Sequence, residues 1–65
     1  MKKERFFVNK IKQVRIKKNM TRYRLAKDAD LDYSTLRKVE SGGDVKLSTL
    51  RKIAAALGVD VKDLV

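Results

Sequence analysis

Tyr33, Ser34, Arg37, Lys38 and Ser41 are the residues of this chain whose types and spacing suit chemistry. With the apolar Leu36 and Val39 turned inward, a helix through this stretch sets all five on one outer stripe. Arg and Lys donate to the O6 and N7 acceptors of guanine in a major groove, Ser donates or accepts, and a Tyr ring lies against a thymine methyl or a phosphate. The stripe therefore carries the donors of a nucleic-acid reader, with an ordinary solvated helix face as the plainer alternative.

Presenting such a stripe takes a second helix and a turn, and both are legible between Thr21 and Gly42. Thr21 is suited to cap a helix by accepting an N–H from Tyr23 or Arg24, and Leu25, Ala26 and Ala29 supply the apolar spacing of one buried face. Asp30 ends that helix, because the turn needs a residue at positive φ and Asp enters that region far more readily than a branched side chain. Leu31 plugs the turn, Asp32 caps the next helix, and Gly42 closes it in the left-handed conformation. Ala26 is small where the two helices cross, since a side chain reaching beyond Cβ would push them apart.

The flanking sequence predicts three more helices. Phe7, Ile11, Val14 and Arg15 share one face of a first helix running to about Lys18, with Asn19 suited to a left-handed position after it and Met20 plugging the core. Leu47, Leu50, Ile53, Ala54 and Leu57 mark a fourth helix that Gly58 terminates. Its first residue is open between Leu47, which is periodic with the helix, and a start capped by Ser48. Asp60 with Asp63 reads as a capping box for a short fifth helix ending in Leu64 and Val65, with Val59 as its staple. The expected fold is all-α: a basic N-terminal arm over residues 1–6, then over 7–65 a compact five-helix bundle with a helix-turn-helix formed by helices 2 and 3.

At 65 residues the chain is one domain near the lower limit for a hydrophobic core, and with no Cys it has neither disulfide nor thiolate–metal staple. Its net charge of +9 is unevenly placed, since residues 1–27 hold 11 Lys and Arg against Glu4 alone, and residues 28–65 hold 6 against 7 acids. A polyanion meets one strongly positive half, which favours nucleic acid or an anionic membrane surface. No His, no Cys, no glycine-rich phosphate loop and no acidic cluster at metal spacing are present, so neither an enzyme nor a metal or cofactor is expected. So small a core leaves no room for a small-molecule pocket. No apolar run approaches the roughly 20 residues of a membrane span, and the first residues lack the features of a signal peptide, so a cytoplasmic location is expected.

Four motifs in combination carry a resemblance: V-R near the end of the first helix, T-x-x-x-L-A at the second, S-T-L-x-x-V-E-S-G across the third, and T-L-x-K-I-A-x-A-L-G-V at the fourth and beyond. The chain resembles the lambda-repressor and Cro type of helix-turn-helix domain, the XRE-like family of bacterial and phage regulators, over about residues 7–65. It departs from the family pattern at Asp30, where Gly is favoured, at Arg22, where Gln is frequent, and at Lys46, where a capping Ser or Thr is common.

The resemblance implies a sequence-specific binder of double-stranded DNA, a transcriptional regulator and most simply a repressor. It implies base reading by Tyr33, Ser34, Lys38 and Arg37, with Asp32 either accepting from a base or serving only as the helix cap. Phosphate contacts are expected from Thr21, Arg22, Ser41, Gly43 and Lys46, and a structural ion pair between Arg15 and Glu40. Regulators of this kind act as two-fold dimers, for which Val59, Val61, Leu64 and Val65 are the candidate patch unless they close the core instead. The rival expectation is an interaction module of the same fold that binds a protein, or an anionic membrane through its arm and Phe6 and Phe7.

Overall fold

Three of the four helices end in the same way, and these endings set the directions of everything that follows. The computed structural model describes residues 5–7, 10–42 and 44–65. Helix α1 covers Ile11–Lys17, α2 Arg22–Asp28, α3 Tyr33–Glu40 and α4 Leu47–Leu57. After α1, α2 and α4 the chain passes through Asn19 at φ 57°, Asp30 at φ 58° and Gly58 at φ 73°. In each case the next N–H turns back onto the helix: Met20 donates to Arg15 O at 3.1 Å, Leu31 to Ala26 O at 2.8 Å and Val59 to Ala54 O at 3.0 Å. Such a bond satisfies a carbonyl the helix would leave bare and swings the following apolar residue inward. Met20, Leu31 and Val59 accordingly pack against the core.

That core takes one face from every helix. Ile11, Leu25, Leu36, Leu50, Ile53 and Leu64 are fully buried, with Ala26, Ala29, Val39, Val45, Ala54 and Leu57 completing the cluster. Burying each large aliphatic side chain is worth roughly 1.5 to 3 kcal/mol. Ala26 and Ala29 are the small contacts that let the short α2 lie close to its neighbours.

Among the described residues four helices, not five, make up the fold. The segment expected to be a fifth helix is a single 3-10 turn, Val61–Asp63. The Asp63 carboxylate does accept the Asp60 N–H at 3.1 Å, as a capping box would have it, but three residues are too few to extend into an α-helix.

A second difference lies at the start of the chain. Arg5–Phe7 form a strand, β1, which pairs antiparallel with β2, Asp44–Lys46, with Arg5 opposite Lys46, Phe6 opposite Val45 and Phe7 opposite Asp44. Phe7 therefore belongs to a strand and not to the face of α1, and Arg5 and Phe6, assigned to the arm, pair with the segment leading into α4. The rest of the expected arm, Met1 to Glu4, lies outside the described residues.

Asp32 occupies the N-cap position of α3 with extended backbone, yet its side chain makes no capping hydrogen bond. Thr21 does cap α2, its Oγ1 accepting the Arg24 N–H at 3.0 Å. At α4 the N-cap is Lys46, a side chain that can only donate, and Leu47 is the first helical residue.

The left-handed corner at Asp30 gives a direct test. Asp30→Val places a branched side chain at positive φ and is expected to cost about 1 to 2 kcal/mol, while Asp30→Gly holds or raises stability. Urea unfolding midpoints measure both, and a Val variant as stable as the parent would contradict the assigned backbone.

Candidate nucleic-acid interface

The outer face of α3 follows from what its inner face buries. Leu36 is fully buried and Val39 nearly so, and the helical repeat then sends Tyr33, Ser34, Arg37 and Lys38 outward. All four are exposed, as are Asp32 before the helix and Ser41 after it. Ser34, Arg37, Lys38 and Ser41 together line one shallow depression on this surface. The Ser41 hydroxyl donates to Lys38 O at 2.8 Å, so in this arrangement its proton points back to the helix.

Behind the stripe a single carboxylate holds three helices together. Glu40, at the end of α3, has a side chain only 3% exposed. Arg15 of α1 donates to it twice, from Nε to Oε2 at 2.7 Å and from Nη2 to Oε1 at 3.3 Å. The Arg15 Nη1 donates in turn to Met20 O at 2.9 Å, which ties the pair to the left-handed corner after α1. Arg15 is the buried charged residue among the core positions. A carboxylate and a guanidinium survive there because each satisfies the other with directed hydrogen bonds.

Glu40 also takes a second guanidinium that sequence reasoning did not foresee. Arg22 of α2 donates from Nε to Glu40 Oε1 at 3.0 Å, and from Nη1 to the Tyr33 hydroxyl at 3.3 Å. These contacts, the hydroxyl first and the carboxylate second, raise the Arg22 guanidinium above its ordinary pKa. The stabilising effect of such a shift is complete below the ordinary value and fades only at still higher pH, so Arg22 stays charged throughout the physiological range. Arg22 opens α2 at the end away from the turn, and the length of its side chain is what brings the guanidinium to the Tyr33 hydroxyl.

Lys12 of α1 is another residue that the sequence did not single out for the site. In the structure it joins Arg22, Arg37, Glu40 and Ser41 around a depression next to the first. Its placement three residues before Arg15 on α1 was the available hint.

The other expected site residues lie around this centre. Thr21 is exposed, and because its oxygen accepts the capping bond, its own proton remains free to donate. Lys46 is exposed at the head of α4, and Gly43 lies outside the described residues. In the candidate dimer patch, Leu64 is a correction: it is fully buried and closes the core, so it offers no surface. Val59 and Val61 are half-buried against that core, and Val65 is exposed.

Among the described residues no helix is long and apolar enough to cross a membrane. Comparison with known proteins gives two matches. The family model described as Helix-turn-helix matches residues 11–64. Control protein C.BamHI of Bacillus amyloliquefaciens is 40% identical over 60 residues, spanning 89% of this chain and 74% of that protein. No solved structure matches significantly.

Removing the shared carboxylate is the sharpest probe of this centre. Glu40→Ala leaves the enclosed Arg15 without its partner and is expected to destabilise the fold by roughly 3 to 5 kcal/mol. Unfolding in urea reads the loss, and a variant with an unchanged midpoint would show that the three helices do not depend on it.

Proposed function

The chain belongs to the helix-turn-helix family and is a DNA-binding transcription regulator, and we propose that it inserts α3 into the major groove of double-stranded DNA, binds as a two-fold dimer and acts as a repressor. The observation that carries this reading is the exposure of the whole polar stripe on α3 above two buried anchors, Leu36 and Val39. Tyr33, Ser34, Arg37 and Lys38 are the base readers. Asp32 joins them as an acceptor for an exocyclic amine, a role favoured by its lack of a capping bond.

Affinity comes mainly from the backbone, because phosphate contacts dominate the electrostatic term while base contacts supply discrimination. Arg22, Lys46 and the free proton of Thr21 serve that purpose, and Lys12 is close enough to Arg22 and Arg37 to add to it. The strand register sets Arg5 opposite Lys46. Ser41 contributes only if its hydroxyl turns away from Lys38 O.

One recognition helix reads only a few base pairs, so two copies with half-sites one helical turn apart, roughly 34 Å, give the needed discrimination. Val59, Val61 and Val65 are the self-complementary patch, small enough that pairing is completed on the DNA. Repression needs only occupancy of a site that polymerase must use. The kinship with a protein named as a control protein supports a regulatory role, and a DNA target places the work in the bacterial cytoplasm.

Binding to duplexes selected from a random pool tests the proposal. The logarithm of affinity is expected to fall linearly with the logarithm of salt, by about 0.9 per phosphate neutralised. Lys46→Ala lowers that slope by about one and weakens selected and random duplexes alike. Arg37→Ala or Lys38→Ala costs about 1 to 3 kcal/mol on the selected duplex and relaxes base preference. Equal losses on both duplexes for all three variants would remove α3 as the reader, and a salt-independent association would point instead to an apolar protein partner.

A further inference from the structure

Two depressions of the surface meet at Arg37. It lines the one that carries the stripe, with Ser34, Lys38 and Ser41, and also its neighbour of about 280 Å³, with Lys12, Arg22, Glu40 and Ser41. The second draws one cation from each of three helices: Lys12 from α1, Arg22 from α2 and Arg37 from α3. It lies at the surface, so the small size of the core sets no limit on what it can hold.

Glu40 does not cancel these three charges. Its side chain is nearly enclosed, and Arg15 neutralises it from the inner side with two hydrogen bonds. Arg22 spends Nε and Nη1 on Glu40 and Tyr33, and neither contact uses Nη2. Three positive groups therefore surround one open space. A duplex backbone offers single charges spread along each strand. A phosphomonoester brings about −1.5 to −2 at neutral pH, and two phosphoryl groups joined through one oxygen gather still more charge into a small volume. Cations converging from three helices suit the second pattern better than the first.

We propose that this depression binds a small ligand through a diphosphate group, and that the bound ligand excludes DNA. The inference rests on the reading of α3 given above, to which it adds a means of release. Exclusion has two causes. The ligand occupies cations that the DNA backbone would use, and it draws Arg37 to the inner depression and away from the stripe. One planar guanidinium serves either side but not both at once. By linkage the effect is reciprocal, so bound duplex weakens the ligand by the same factor. Occupancy of DNA thereby follows the concentration of a phosphorylated compound, without any internal pocket to sense it.

The experiment uses inorganic diphosphate as first probe, a nucleoside 5′-diphosphate as second, and sulfate at matched ionic strength as control. Binding is followed without DNA, by amide NMR shifts and melting temperature. Diphosphate is expected to saturate the protein, with shifts gathered at Lys12, Arg22 and Arg37 to Ser41, and to raise the melting temperature, while sulfate binds far more weakly. Lys12→Ala is expected to weaken diphosphate about tenfold. Lys17→Ala, at an exposed lysine of α1 outside the depression, leaves it unchanged. At about ten times its own dissociation constant, diphosphate is expected to weaken the selected duplex about elevenfold at constant ionic strength. A nucleotide no tighter than diphosphate assigns recognition to the phosphoryl groups alone, and a tighter one adds its sugar and base; both agree with the proposal.

Equal binding of sulfate and diphosphate, or equal losses from Lys12→Ala and Lys17→Ala, would show a basic surface and no site, and either result overturns the inference. So does a duplex whose affinity holds while diphosphate saturates the protein. All of these leave the α3 reader standing. If instead Arg37→Ala and Lys38→Ala fail to relax base preference, the reader falls, while diphosphate binding, measured without DNA, is still decided by Lys12→Ala.

Discussion

Two guanidiniums on one carboxylate is the interaction on which the arrangement of this molecule depends. Glu40 accepts from Arg15 on its inner side and from Arg22 on its outer side, and so joins α1, α2 and α3 at a single point. The balance of charge is unequal by design of the contact: one negative group holds two positive ones. The inner pair is neutralised where the surroundings are apolar, and the surplus positive charge is left at the surface on the side that carries the α3 stripe. Structural anchoring and attraction for a polyanion thus come from the same few atoms.

The direction of α3 has a different origin. It comes from backbone geometry at Asp30 and from the burial of Leu31, Leu36 and Val39, which leave the helix little freedom of roll or tilt. The Glu40 centre then locks the far end. Together these fix which side chains face outward, and the residues on that outer face are free to differ without disturbing what holds them there. Such a division between a fixed support and a variable stripe explains how one helical frame can serve many nucleic-acid sequences.

Much of this was legible in the sequence because the relevant constraints are local. Asn19, Asp30 and Gly58 mark helix ends by a backbone requirement that few residue types meet, and the apolar residues following them show which way the chain turns. The inward and outward faces of α3 follow from spacing alone. What could not be read depends on partners distant in the chain. The strand pair joins three residues near the start to three beyond α3, with no alternating pattern in either to announce it. The contacts of Arg22 were missed because a helical wheel places a long side chain by its Cα, whereas its guanidinium can reach back to a neighbour. Asp32 shows the opposite error, since its position at the head of α3 was right and the hydrogen bond inferred from that position is absent. Leu64 was assigned to either surface or core by type, and only packing decided it.

The left-handed corners carry a mechanical meaning. Those at Asn19 and Asp30 each close one helix and lead straight into the next, so these joints contain no spare length that could stretch or fold when a ligand arrives. A body built this way behaves like a die, whose contour is the same before and after it strikes. Whatever mismatch exists between its contour and a particular stretch of duplex must be absorbed by the softer of the two, and the bending and twisting of DNA vary with its base steps. Stiffness in the protein therefore turns the elasticity of the nucleic acid into information, even at base pairs that no side chain reaches.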